Sequence, residues 1–132
     1  GLDEYRAQFT ALLARAIVLT GNDAARVIVV GFPAWGVTPF GRGSGRDTAQ
    51  IARETDAFNA AAQQIAQQHH VAFVDIAEVR RPRSKLAQFD STMVAPDGLH
   101  PSAAMYARWV DRVLPVALEI LQHPAQRPDP AH

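Results

Sequence analysis

Val27-Ile28-Val29-Val30-Gly31 is the stretch that decides the fold. Its β-branched residues follow one another with no polar position between them. A strand of this kind turns neither face to water and belongs in a parallel sheet covered on both sides. Val71-Ala72-Phe73-Val74 is a second apolar run of the same kind. Between the two, Ile51, Phe58, Ala61, Ala62 and Ile65 fall on one face of a helix expected over Asp47 to His69. Strand, helix and strand at this separation form a right-handed βαβ crossover. The fold class is therefore α/β, with two strands and about three main helices.

Upstream, Leu2, Tyr5, Phe9, Leu12, Leu13, Ala16 and Ile17 make a one-faced helix ending near Leu19. Asp3 and Glu4 suit the positive end of its dipole, and Asp3 is a candidate cap. Thr20-Gly21-Asn22-Asp23 stops that helix, with Asn22 as a turn residue. The Gly- and Pro-rich segment Gly31 to Arg46 leaves the C-terminal end of the first strand, the edge where ligands bind in open α/β sheets. Trp35 and Phe40 on this segment are the candidate substrate-binding residues. Its tip, Gly41-Arg42-Gly43-Ser44-Gly45, lacks the third glycine of a dinucleotide fingerprint and is out of register for Gly-x-Ser-x-Gly.

His69 and His70 are neighbours that diverge on a helix, so they suit its C-terminal end rather than a metal. Asp75 follows the second strand at the same sheet edge. A short helix is expected over Arg80 to Phe89, with Arg80, Arg81 and Arg83 as a solvated helix end. The last helix is expected from Pro101 to about Leu121, with Met105, Tyr106, Trp109, Val113, Val116 and Ile120 facing the core. Pro115 lacks the N–H for one rung and should kink it. The three prolines of Gln122 to His132 give a loose tail.

Charge and composition narrow the function classes. Thirteen Lys and Arg balance thirteen Asp and Glu, so no basic field favours nucleic acid or an anionic membrane. Cysteine is absent, which removes disulfides, thiolate catalysis and Cys-based zinc sites. No apolar run approaches the ~20 residues that span a bilayer. The compartment is left open.

The chemistry concentrates in Asp97-Gly98-Leu99-His100-Pro101-Ser102. An Asp three residues before a His can hold one imidazole nitrogen within a single turn, and the other nitrogen then faces a cleft. That arrangement fixes the tautomer and stabilises the imidazolium, as a base serving a nucleophile requires. Gly98 permits a backbone conformation that other residues resist, and Pro101 suits the start of a helix.

With Met93-Val94-Ala95-Pro96 before it and Met105, Tyr106 and Trp109 after it, the stretch resembles the last signature block of the SGNH (GDSL-type) serine hydrolases. The resemblance implies a flavodoxin-like, three-layer α/β/α sandwich and a carboxylic ester hydrolase working through an acyl-serine intermediate. It makes Asp97 and His100 the catalytic acid and base of a Ser-His-Asp triad. No metal and no cofactor is implied.

The family's other blocks are missing, since neither Gly-Asp-Ser-Leu nor Gly-x-Asn-Asp occurs where it should. Thr20 to Asp23 is not the latter, because a strand rather than a helix follows. Phe89-Asp90-Ser91-Thr92 is not the former, because no buried strand precedes it. Residues 1–121 accordingly resemble the C-terminal portion of one hydrolase domain, with 122–132 as tail. The expected partners are a small acyl-ester substrate and an N-terminal segment of the same hydrolase, or a second copy. The competing expectation is a non-catalytic remnant that binds a ligand or a protein with the same cleft.

Overall fold

In the computed structural model, which describes residues 1–80 and 89–123, two parallel strands form the sheet: β1 (Ile28–Val30) and β2 (Ala72–Val74). Ile28 lies opposite Ala72, Val29 opposite Phe73 and Val30 opposite Val74. The helices are α1 (Leu2–Leu19), α2 (Pro39–Gly43), α3 (Thr48–Gln68), α4 (Ala77–Arg80) and α5 (Ala103–Gln122), with short 3-10 turns over Ala24–Arg26 and Ser91–Met93. The chain is α/β, consistent with a fragment of the flavodoxin-like fold that the resemblance implies.

Side-chain alternation assigns the layers. Val29 and Phe73 point the same way, into a cluster formed by Leu13 of α1, Ile65 and Ala66 of α3, and Val71. Phe9 and Ile17 of α1 close that cluster, so α1 and α3 form one layer. α5 reaches β2, and Val74 and Met105 are both buried. α3 earns its length: Asp47 caps it by accepting from the Ala49 amide at 2.9 Å, and Ile51, Ala61, Ala62, Ile65 and Ala66 are buried along it.

Several expectations are corrected. Each strand is one residue shorter at its start. The Val27 amide donates to the Ala24 carbonyl to close the 3-10 turn, and the Val71 amide donates to the Ala66 carbonyl to close α3. Among the described residues β1 is not covered on both faces: Ile28 and Val29 are half-buried and Val30 is 45% exposed. β1 pairs with β2 alone among the described residues, which leaves its other edge open.

Asp3 lies within the first turn of α1 rather than capping it, and the terminal ammonium meets Glu4 at 3.4 Å. α5 begins at Ala103, not Pro101, because Pro101 is occupied in an antiparallel bridge with Val94 and Ser102 is the cap. Of the residues expected to face the core from α5, Met105 alone is fully buried. Trp109, Val113, Val116 and Ile120 are half-buried, and Tyr106 is exposed with its ring edge-on to Trp109. Pro115 lies inside α5, which is helical through that position, so the Asp111 carbonyl goes without its usual donor.

Asn22 takes a left-handed backbone, φ 62°, as a turn residue should. His69 ends α3 as its C-cap and His70 follows with φ 57°. The helix expected over Arg80 to Phe89 lies outside the described residues except at its ends, as do Arg81 and Arg83.

Candidate active site

A tight turn carries the Asp–His pair. Ala95-Pro96-Asp97-Gly98 closes on a bond from the Gly98 amide to the Ala95 carbonyl at 2.9 Å, and Gly98 adopts φ +72°. Pro at the second position and Gly at the fourth are what such a turn selects. The Ala95 amide then donates to the His100 carbonyl at 2.8 Å, and the Ser102 amide to the Met93 carbonyl at 3.2 Å. The Ser102 hydroxyl donates to the Thr92 carbonyl at 2.7 Å while accepting from the Met105 amide. The turn and the start of α5 are thus one hydrogen-bonded unit.

Within that unit the Asp97 carboxylate is fully engaged. Its Oδ1 accepts from the Leu99 and His100 amides at 2.9 and 3.0 Å, and its Oδ2 lies 2.5 Å from His100 Nδ1. The His100 bond, followed by the two amide bonds, holds the carboxyl down at about 2, so it is ionised at neutral pH. An ionised carboxylate only accepts, so the proton between the two groups sits on Nδ1 and the neutral ring keeps Nε2 unprotonated. The His100 side chain is 72% exposed, and Nε2 is directed away from Asp97. An imidazole held in this way has the orientation that a general base requires.

The segment after β1 is bound to that turn. At its entry the Phe32 amide donates to Asn59 Oδ1 at 2.6 Å, and Asn59 Nδ2 donates back to the Phe32 carbonyl at 2.9 Å. Midway, Thr38 is fully buried and caps α2: its hydroxyl accepts from the Gly41 amide and donates to the Trp35 carbonyl. One residue into α2, the Phe40 amide donates to the Gly98 carbonyl at 3.1 Å. At its exit, the Arg46 guanidinium lies 5.8 Å from the Trp35 ring centroid and pairs with Glu54 at 2.6 Å. That bond, with one from Gln50, pulls the Glu54 carboxyl below its ordinary value.

Trp35 and Phe40 therefore come together, their ring centroids 6.4 Å apart, with Trp35 half-buried and Phe40 half-exposed. The backbone of Phe40 meets the turn two residues before His100. Asp75 accepts from the Ala77 amide at 2.8 Å, just before α4 begins.

Ser44 donates to the Gly41 carbonyl, Ser91 lies in the 3-10 turn, and Ser102 is the α5 cap, while Ser84 lies outside the described residues. Among the described residues no group of three or more His, Asp or Glu is arranged to hold a metal, and no helix is long and apolar enough to cross a membrane.

Sequence reasoning missed Asn59 and Thr38. A signal for Asn59 exists: it lies on the buried stripe of α3 between Thr55 and Ala62, and a polar residue there needs partners. Thr38 directly before Pro39 matches a capped helix start, although a helix of five residues leaves no periodicity to find.

The parallel α/β framework thus presents a carboxylate-oriented imidazole on a turn that the aromatic-bearing loop meets. Residues 1–108 match the model of the GDSL-like Lipase/Acylhydrolase family, and the chain belongs to that family. That match runs from α1 through the Asp–His turn and into α5. Neither the curated proteins nor the solved structures that were searched gave a match.

Proposed function

We propose that the chain serves carboxylic ester hydrolysis through an acyl-serine intermediate, with His100 as base and Asp97 as its orienting acid. The observation that carries this reading is the Asp97–His100 contact at 2.5 Å, with the Asp97 carboxyl held down at about 2. His100 Nε2 takes the proton of an attacking serine hydroxyl and then gives it to the leaving alcohol. Asp97 keeps the ring in the productive tautomer and balances the imidazolium.

The serine and the oxyanion donors come from a part of the hydrolase outside these residues, either an N-terminal segment or a second copy, so residues 1–132 alone are inactive. Trp35 and Phe40 contact the acyl or alcohol group of a small ester. The catalytic step uses no metal and no organic cofactor. Supporting this division of labour, the hydroxyls of Ser44 and Ser102 are already committed to backbone partners.

The experiment is a fluorophosphonate label combined with turnover of a short p-nitrophenyl ester. Residues 1–132 are compared alone and together with a polypeptide bearing a Gly-Asp-Ser block. Labelling and turnover only in the combined sample, lost on His100→Ala, support the esterase. An adduct on Ser44, Ser84, Ser91 or Ser102, or turnover untouched by His100→Ala, refutes it. Ligand binding with neither labelling nor turnover in any combination selects the non-catalytic remnant instead.

A further inference from the structure

We infer that Asn59 is a positioning residue for substrate selection: its carboxamide stands in for a missing strand partner at Phe32 and sets the Trp35–Phe40 wall against the Asp97–His100 turn. The inference rests on the esterase reading for its functional meaning.

The physical case begins at the end of β1. The Gly31 amide donates to the Val74 carbonyl, the last rung β1 makes with β2. Beyond it the chain leaves the sheet, and the Phe32 amide and carbonyl need partners. Asn59 supplies both, as donor and acceptor on one planar group, which is the complement a neighbouring peptide would offer. Only a side chain carrying both functions at that length does this, and Asn59 is itself 8% exposed.

Gly31 makes the approach possible, since a Cβ there would lie 3.0 Å from the Phe73 ring and 3.2 Å from Asn59 Oδ1. From this fixed point the chain runs to Trp35, is folded back by Thr38, and delivers the Phe40 amide to the Gly98 carbonyl. A Cβ at Gly98 would lie 3.2 Å from Pro39, so the turn and α2 are in close contact. Asn59 does not touch the reacting atoms. It acts through Phe32 and the loop to fix where an acyl chain lies relative to His100.

Two readouts need no turnover, so they test the placement whether or not esters are hydrolysed. In the unmodified chain the Phe32 and Phe40 amides should exchange with solvent at least about tenfold more slowly than that of Gly45, as hydrogen-bonded amides in one ordered unit do. In a Trp109→Phe background, Trp35 is the one remaining tryptophan. There, Asn59→Leu should increase acrylamide quenching of its emission and speed exchange at Phe40.

In the assembly that turns over esters, Asn59→Leu should raise KM by about tenfold with kcat within a few-fold, and flatten the preference between short and long acyl chains. Asn59→Asp keeps the acceptor and loses the donor, and its chain-length profile should fall between the two. Exchange at Phe32 and Phe40 as fast as at Gly45 overturns the inference even where Asn59→Leu fails to fold. In a folded Asn59→Leu protein, an unchanged chain-length profile with unchanged Trp35 quenching overturns it equally.

Discussion

The Phe40 amide donates to the Gly98 carbonyl at 3.1 Å, and through that bond two segments 58 residues apart in sequence (98 − 40) become one surface. The partners are chemically apt. Gly98 must be glycine for the turn that holds Asp97 against His100, because its φ is +72°. Phe40 lies in the first turn of α2, where an amide has no helical partner and is free to reach outward. The aromatic wall and the imidazole are thus placed by the same unit, which links the fold to the chemistry proposed for it.

His100→Ala should remove most ester turnover in the assembly that supplies a serine, by about a hundredfold or more, because the hydroxyl loses its proton acceptor. Asp97→Asn should also be severe, since an amide can stabilise the wrong tautomer and cannot balance the imidazolium. Both side chains are at least half exposed, so the fold should survive either change with at most a modest drop in melting temperature from the lost pair. Steady-state rates beside melting curves check this, and a His100→Ala variant with parental turnover would sink the assignment.

The Asp97 carboxyl should titrate near 2 in the folded protein, against an ordinary value of about 3.9. Its depressed value means the folded turn gains from the ionised form. That contribution is complete above the ordinary carboxylate range and disappears as the pH falls through about 2. Acid opening of the turn should therefore lie below pH 4. His100→Ala removes the largest cause of the shift and should raise the midpoint toward the ordinary value. The carbon-13 shift of the Asp97 carboxylate across pH measures both, and an unshifted midpoint in the parent protein would contradict the turn geometry.

Gly41→Ala should damage the loop while Gly43→Ala spares it. A Cβ at Gly41 would lie 2.5 Å from the Trp35 carbonyl oxygen and 2.8 Å from Gly36 Cα, backbone atoms that cannot step aside. At Gly43 nothing lies within 4 Å. Overpacking of this kind costs about 1–3 kcal/mol or more, whereas removing a glycine in open helical backbone is neutral or gains about 0.4–1 kcal/mol. Chemical denaturation of the two variants decides the matter; equal stabilities would mean that the loop is not packed as described.

The parallel strands, the crossover helix and the Asp–His turn were legible because each is encoded locally. β-branched runs, a helical period, and Asp-Gly-Leu-His within one turn all announce themselves over a few residues. Tertiary bonds were not. Asn59 reaches Phe32 across 27 positions, and Phe40 reaches Gly98 across a still longer gap. Nothing in either neighbourhood names the other partner. The burial of α5 was overread for a related reason. Its apolar residues extend beyond one face, so periodicity could not say which of them the described residues would cover. Tyr106 proved exposed and Trp109 half-buried, while Met105 alone is enclosed.

Those uncovered residues carry the final prediction. Tyr106, Val110, Leu114, Leu118 and Leu121 recur at helical spacing along α5 and are exposed, as are Val30 and Phe32 where β1 leaves the sheet. An apolar stripe on a helix, together with a strand that has an open edge, is a surface that seeks cover. Residues 1–132 alone should therefore associate, with a second copy when nothing else is present and with an N-terminal segment of the hydrolase when that is supplied. Leu114→Glu together with Leu118→Glu places charges on the stripe without touching Met105, and should shift the chain toward monomer while the Asp97–His100 turn stays intact. Sedimentation equilibrium over a range of concentrations reads the shift, and the Asp97 carboxylate signal reports the turn. A parent chain with a concentration-independent monomeric mass and a cooperative thermal transition would show that the stripe needs no partner.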